Sequence, residues 1–382
     1  MDTVVLTGLD RTVDRAGYHL PQALVSDAAR LGLRAVAAQL SASLSNSLYF
    51  EAPLDAESRR VDLIVRVDRI AGAMLTRHVS RSTNPSLQTG PIWTRIHELA
   101  ARWQSADSVL RAAGAAMWLE FDVEPDTCDR ITTQREGCPP GVFFDFTPAA
   151  YSQRSRERRF ELVVAALAPL TDSATKRDPR SAIRRCIDAL PANAAISSVG
   201  VLLPRDASTI RLCVRGVAHH ELANYLRAIG WPGSVQRLEQ LIHTMDTPEH
   251  AERPIAGLIH LDVGVELKPR VGIEYRFRRR VQVRGVVTET AFLERLVREG
   301  LCAPFKRDAM LTWPGCSLDQ MPHELWTSLV LRRINHIKLM YDDARDPHAK
   351  GYLCMSHAFR ARPRPRPRSS DAPVVGMQAS TQ

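Results

Sequence analysis

Residues 47–67 read SLYFEAPLDAESRRVDLIVRV: two short runs rich in apolar residues, joined by a polar turn containing DAES. Successive side chains of an extended chain point to opposite faces. In the second run Arg60, Asp62, Ile64 and Arg66 therefore share one face, and Val61, Leu63, Val65 and Val67 share the other. Aromatic and β-branched residues in alternation with polar ones, bounded by a turn, predict a β-hairpin. The same unit recurs four more times along the chain. Met117–Val123 pairs with Val142–Phe146 across a longer loop containing Cys138-Pro139-Pro140-Gly141, and Ser198–Pro204 pairs with Thr209–Val214. Gly257–Val263 pairs with Arg270–Phe277, and Asn335–Tyr341 with Lys350–Met355 across DDARDPHA.

Longer patterns of helical period separate these pairs. Gln22–Ser43 follows Pro21, and Ile92–Ala113 places Ile92, Ile96, Leu99 and Trp103 on one stripe. Glu161–Leu170 and Ser181–Leu190 precede the third hairpin, and His220–Ile229 and Val235–Met245 the fourth. Phe292–Leu301, with Gly300 at its stop, and His323–Arg333 precede the fifth. Ten strands approach the limit of a twisted open sheet, and closure removes both exposed edges. The fold class read from this is α+β: a closed antiparallel ten-stranded barrel built from five helix-strand-strand-helix repeats, with the helices outside. One face of each strand then points into a lumen wide enough to hold a ligand. The competing arrangement is two α+β domains parted near Arg180, with KRDPRS as the linker. Residues 1–20 read as an N-terminal extension, 21–356 as the barrel domain and 357–382 as a disordered tail rich in Arg and Pro.

The composition agrees with a folded chain. The 382 residues are 45% apolar and 24% charged, too apolar for their charge to be disordered overall. No apolar run approaches the roughly 20 residues of a membrane helix, and the first residues lack the basic start and apolar core of a signal peptide. Seven scattered cysteines with no CxxC suggest reduced thiols and a cytoplasmic protein without a zinc site. Of the net charge of +9, +4 falls after residue 355, where Arg362–Arg368 reads RPRPRPR and is expected to be extended polyproline II. A solubilising tail accounts for that segment, and nucleic acid is not the expected partner.

Short motifs in the hairpins resemble those of the ABBA-fold prenyltransferases, the prenyltransferase-barrel family acting on aromatic molecules and peptides. Leu48-Tyr49-Phe50-Glu51 is similar to the early strand of the indole prenyltransferases, in which a Glu follows an apolar run. Lys350-Gly351-Tyr352 is similar to the family's Lys-x-Tyr element, and Asn335–Tyr341 to a late strand of the cyanobactin-type members. The hairpin of Leu261-Asp262-Val263 and Arg270–Tyr275 departs from the pattern, with Gly272 and Glu274 where the family carries Lys and Tyr. The resemblance implies transfer of an isoprenyl group from an isoprenoid diphosphate to an aromatic small molecule or a peptide side chain.

That chemistry needs cations to hold the leaving diphosphate, aromatic faces to shield an allylic cation and a base for the acceptor's proton. Strand alternation nominates Arg66, Arg211, Arg270, Lys338 and Lys350 as a converging cationic ring, with Tyr352 donating to the leaving oxygen. Glu51 is the expected base, with Glu120 and Asp262 behind it. Tyr49, Trp118, Phe144 and Tyr275 are the expected aromatic lining. No metal ligand is assigned; Mg2+ is the one cofactor left open. Asp342-Asp343-Ala344-Arg345-Asp346 matches a DDxxD pattern but sits between strands ahead of Pro347, so it reads as a turn. There is no GxGxxG after a strand, no GxxxxGK[ST] and no GxSxG, and no nucleophile is paired with a His by any recognised spacing. The alternative of another class is a non-catalytic barrel whose arginines hold an anionic peptide or nucleic acid.

Overall fold

The computed structural model describes residues 9–78, 90–132, 137–152, 154–171, 178–246, 255–277, 289–319 and 326–361. Its strands are β1 (Ser47–Pro53), β2 (Val61–Val67), β3 (Gly114–Val123), β4 (Gly141–Phe146), β5 (Ala195–Leu202), β6 (Asp206–Arg215), β7 (Ile255–Val263), β8 (Leu267–Arg276), β9 (Gly315–Asp319), β10 (Trp326–Asp342) and β11 (Arg345–Ala361). All pairings are antiparallel. β1 to β8 follow in sequence order, β8 pairs with β10, β10 with β11, and β11 returns to β1 to close a ten-stranded barrel. Pairing of Val142 with Val201 joins β4 to β5 across residue 180, so the two-domain arrangement does not occur.

The outward faces make the core. Val61, Leu63, Val65 and Val67 are all inaccessible to solvent, as are Leu48 and Phe50. Helices cover them: α1 (Asp10–Gly17), α2 (Asp27–Ala38), α3 (Arg69–His78), α4 (Pro91–Gln104), α5 (Val109–Ala113), α6 (Thr127–Thr132), α7 (Pro148–Ser152), α8 (Arg156–Leu167), α9 (Arg180–Asp188), α10 (His219–Ala228), α11 (Val235–Met245), α12 (Thr290–Arg298) and α13 (Pro304–Thr312). Ser26 caps α2 by accepting from the Ala29 amide at 3.3 Å, and Gly300 takes the left-handed conformation (φ 70°) after α12, where a helix stop was expected. The four short turns and the α6 connection lie at one end of the barrel, and the other helical connections start from the opposite end. At the turn end Arg60 and Arg205 bind Asp62 and Asp122, while Arg211 and Arg270 bind Asp262. Arg205 thereby ties the β5–β6 turn to β2 and β3, while the Arg211 and Arg270 pairs join the neighbouring strands β6, β7 and β8.

Several expectations change. Ile92–Ala113 is two helices, because Ser108 caps a new one by accepting from the Leu110 amide. Residues 326–333, expected as helix, are strand: WTSLVLRR is hydrogen-bonded on one side to β9 and on the other to β11, a tertiary pairing that overrides its helical period. β9 itself was not anticipated. At the termini, α1 packs Leu9, Val13 and Ala16 into the core from within the segment read as an extension, and β11 continues to Ala361, five residues into the segment read as tail. The RPRPRPR run lies outside the described residues.

Candidate active site

The inward faces of the ten strands enclose a chamber of about 520 Å3 that opens at the end opposite the turns. Beneath its floor, which Lys338 and Tyr352 line, lies Glu51 of β1, which is 2% exposed. Lys350 Nζ and the Tyr352 hydroxyl both donate to Glu51, and Lys338 Nζ lies 3.6 Å away. The barrel closure itself builds this cluster, because Glu51 faces Tyr352 across β1 and β11, and Lys338 faces Lys350 across β10 and β11. Burial alone would raise the Glu51 carboxyl, but Lys338, Lys350 and Tyr352 hold it well below the usual carboxylate range. Burial pushes the Lys338 ammonium down, opposed by Glu51.

The Asp62 and Glu120 carboxylates come within 4.8 Å of that of Glu51. Burial, then the Glu51 charge, raises Asp62 to about 7 in spite of Arg60 and Arg205. These three acids do not fit a cation site, since Lys350, Tyr352, Arg60 and Arg205 already bind their oxygens. The DDARD segment is a turn, as expected: Asp343 accepts from the Tyr341 hydroxyl and from the Ser234 amide that starts α11.

Above the floor the wall is aromatic. Tyr49 and Trp118 meet edge to face with centroids 5.1 Å apart, the His336 ring stacks on Tyr352 at 3.9 Å, and Phe143 completes the lining. Trp118 Nε1 donates to Asp145 at 2.7 Å, and burial raises that carboxyl to about 6. At the mouth stand Arg66, Arg215, Arg276 and Arg333. Arg276 is bound to Glu274 at 3.0 Å, while Arg66, Arg215 and Arg333 form no ion pair among the described residues. Arg66 lies over the Trp118 ring at 5.8 Å. Cys213, His260 and Glu274 lie side by side on the wall.

The lumen brings together Glu51, Arg66, Arg211, Lys338, Lys350, Tyr352, Tyr49 and Trp118. It excludes three residues nominated from the sequence. Phe144 and Tyr275 are on the outer faces of β4 and β8, the first against Trp103 at 5.4 Å and the second against Phe292 at 4.9 Å. Arg270 is at the turn end, tied to Asp262 with 40% of its side chain exposed. The cationic ring also differs from expectation, because Arg211, Lys338 and Lys350 already serve Asp262 or Glu51, and of its members Arg66 alone forms no ion pair among the described residues. Asp262 binds two arginines and is no free base. Phe143, Arg215, Arg276 and Arg333 were missed. Their signal was adjacency: Phe143 neighbours Phe144, and Arg215 and Arg276 share faces with Arg211 and Glu274.

Neither a protein-family model nor a curated protein matches the sequence. Solved structures do. The chain has the prenyltransferase-barrel fold of the ABBA aromatic prenyltransferases. It superposes on the apo form of the prenyltransferase PriB with a TM-score of 0.50 at 16% identity, covering 90% of this chain and 93% of that one. A 5-dimethylallyl tryptophan synthase from Streptomyces coelicolor, in complex with DMASPP and Trp, is matched at 15% identity over 91% of this chain and 95% of that one, with a TM-score of 0.47. No described helix is long and apolar enough to cross a membrane.

Proposed function

We propose that this barrel transfers an isoprenyl group from an allylic diphosphate to an aromatic acceptor. The observation that carries the reading is the chamber's division: Arg66, Arg215 and Arg333, in no ion pair among the described residues, at the mouth, above a wall of Tyr49, Trp118 and Phe143. Arginines that form no ion pair among the described residues suit the oxygens of a diphosphate, and aromatic faces lower the energy of an allylic cation beside them. In the reaction the C1–O bond breaks, the diphosphate leaves onto the arginines, and C1 bonds to the acceptor ring.

The acceptor's proton passes to the Tyr352 oxygen while the Tyr352 proton passes to Glu51, to which that hydroxyl already donates. Glu51 is a weak base because two lysines hold it ionised, and a weak base suffices for a proton made strongly acidic by charge on the ring. Incubation with dimethylallyl diphosphate and a panel of indoles and phenols tests the reading. The expected result is pyrophosphate release that depends on the acceptor, with the acceptor gaining one dimethylallyl group. Binding of the donor without transfer to any aromatic would favour a binding barrel instead.

A further inference from the structure

Three groups on the chamber wall form a chain that the transfer reaction leaves unused. Cys213 of β6 faces His260 of β7 in register, and Cys213 Sγ is 3.4 Å from His260 Nδ1. His260 Nε2 is in turn 2.7 Å from Glu274 Oε1 of β8. With Nε2–H donated to the carboxylate, the Nδ1 lone pair is aimed at the thiol. A nucleophile in reach of a base, and that base oriented by a carboxylate, is the arrangement that activates a side chain for covalent chemistry. All three line the chamber, and Glu274 is fixed from its other side by Arg276. Burial disfavours the imidazolium, while a charge on the Cys213 sulfur and the Glu274 carboxylate favour it, so the ring holds the proton once sulfur has given it up.

We infer that Cys213, with His260 as its base and Glu274 as the positioning group, is a nucleophile of the chamber that the allylic diphosphate alkylates when no acceptor is bound. The inference rests on the donor reading above. In the step the thiol proton moves to His260 Nδ1, sulfur bonds to C1, the C1–O bond breaks and diphosphate leaves toward the mouth arginines. An S-allyl thioether remains and no oxidant or reductant is needed. Acceptor in the chamber shields the thiol, and its absence leaves the protein self-modified.

The first test needs no donor. Iodoacetamide labelling is followed by peptide mass mapping, with the exposed Cys316 as internal standard. His260→Gln and, as a second variant that keeps the imidazole, Glu274→Gln are expected to slow labelling of Cys213 relative to Cys316 by about tenfold, since a thiol without its base is only a few per cent ionised near neutral pH. An unchanged ratio in both variants overturns the activation. The second test incubates the protein with dimethylallyl diphosphate and no acceptor. One dimethylallyl group is expected on the peptide of Cys213, suppressed by an accepted aromatic and absent from Cys213→Ser. Calorimetric donor binding without an adduct overturns the alkylation while sparing the donor reading; absence of donor binding overturns both.

Discussion

Replacing Glu51 by Gln removes one charge from a cluster that the fold itself holds together, and the expected consequence is a loss of stability before any question of turnover. Glu51 is 2% exposed, and two lysines and a tyrosine converge on it. Removing one partner of a buried ion pair costs about 3–5 kcal/mol, because the other charge is left uncompensated in a medium of low polarity. Lys350, with 19% of its side chain exposed, turns toward solvent and loses little. Lys338, at 5%, cannot. The lower end, about 3 kcal/mol, is therefore the expected loss in Glu51→Gln, read by urea unfolding. The double substitution Glu51→Gln/Lys338→Met removes the stranded charge and is expected to regain most of it. Equal stability of wild type and Glu51→Gln, or a double variant less stable than the single one, would refute the reasoning. Activity of Glu51→Gln is interpretable only at a temperature where the variant is still folded.

Phe144→Ala should cost about 3–5 kcal/mol, since it opens a cavity between sheet and helices, with donor binding unchanged in the folded fraction; Phe143→Ala should spare stability by comparison and weaken acceptor binding, measured by KM. Asp262 is held at about 2 by Arg211 and Arg270 against its burial, below the ordinary 3.8. A lowered carboxylate stabilises the fold above its unfolded value, so about 2 kcal/mol present at neutral pH is lost as pH falls from about 4 to 2. Asp262→Asn should be less stable at pH 7 and show a shallower acid limb in thermal melts across that range; an unchanged acid limb would contradict it.

Much of the barrel is legible in the chain because alternation and turn chemistry are local. The run Val61–Val67 shows which side is core before any partner is known. The same rule, applied fully, would have excluded Tyr275, since Glu274 and Arg276 on one face put it on the other. What alternation does not contain is height along the barrel axis. Arg270 shares a face with Glu274, yet it sits at the turn end, beside Asp262. Counter-ions are likewise set by closure: Glu51 meets Lys350 and Tyr352 only because β11 returns to β1, about 300 residues later in the chain. The same holds for Cys213 and His260, separated by 47 residues and brought together by strand register. Residues 326–333 misled because a run of Leu, Val and Trp carries no helix-breaking signal, and its strand partners are distant.

The most direct test of the central claim is a calorimetric titration with dimethylallyl thiolodiphosphate, with inorganic pyrophosphate alongside, on wild type, Arg66→Gln and Arg215→Gln. The account predicts that the prenylated ligand binds more tightly than pyrophosphate, and that each substitution weakens both by about tenfold or more, the worth of one charge-assisted hydrogen bond. Absence of binding by either ligand, or equal binding by all three proteins, would contradict it.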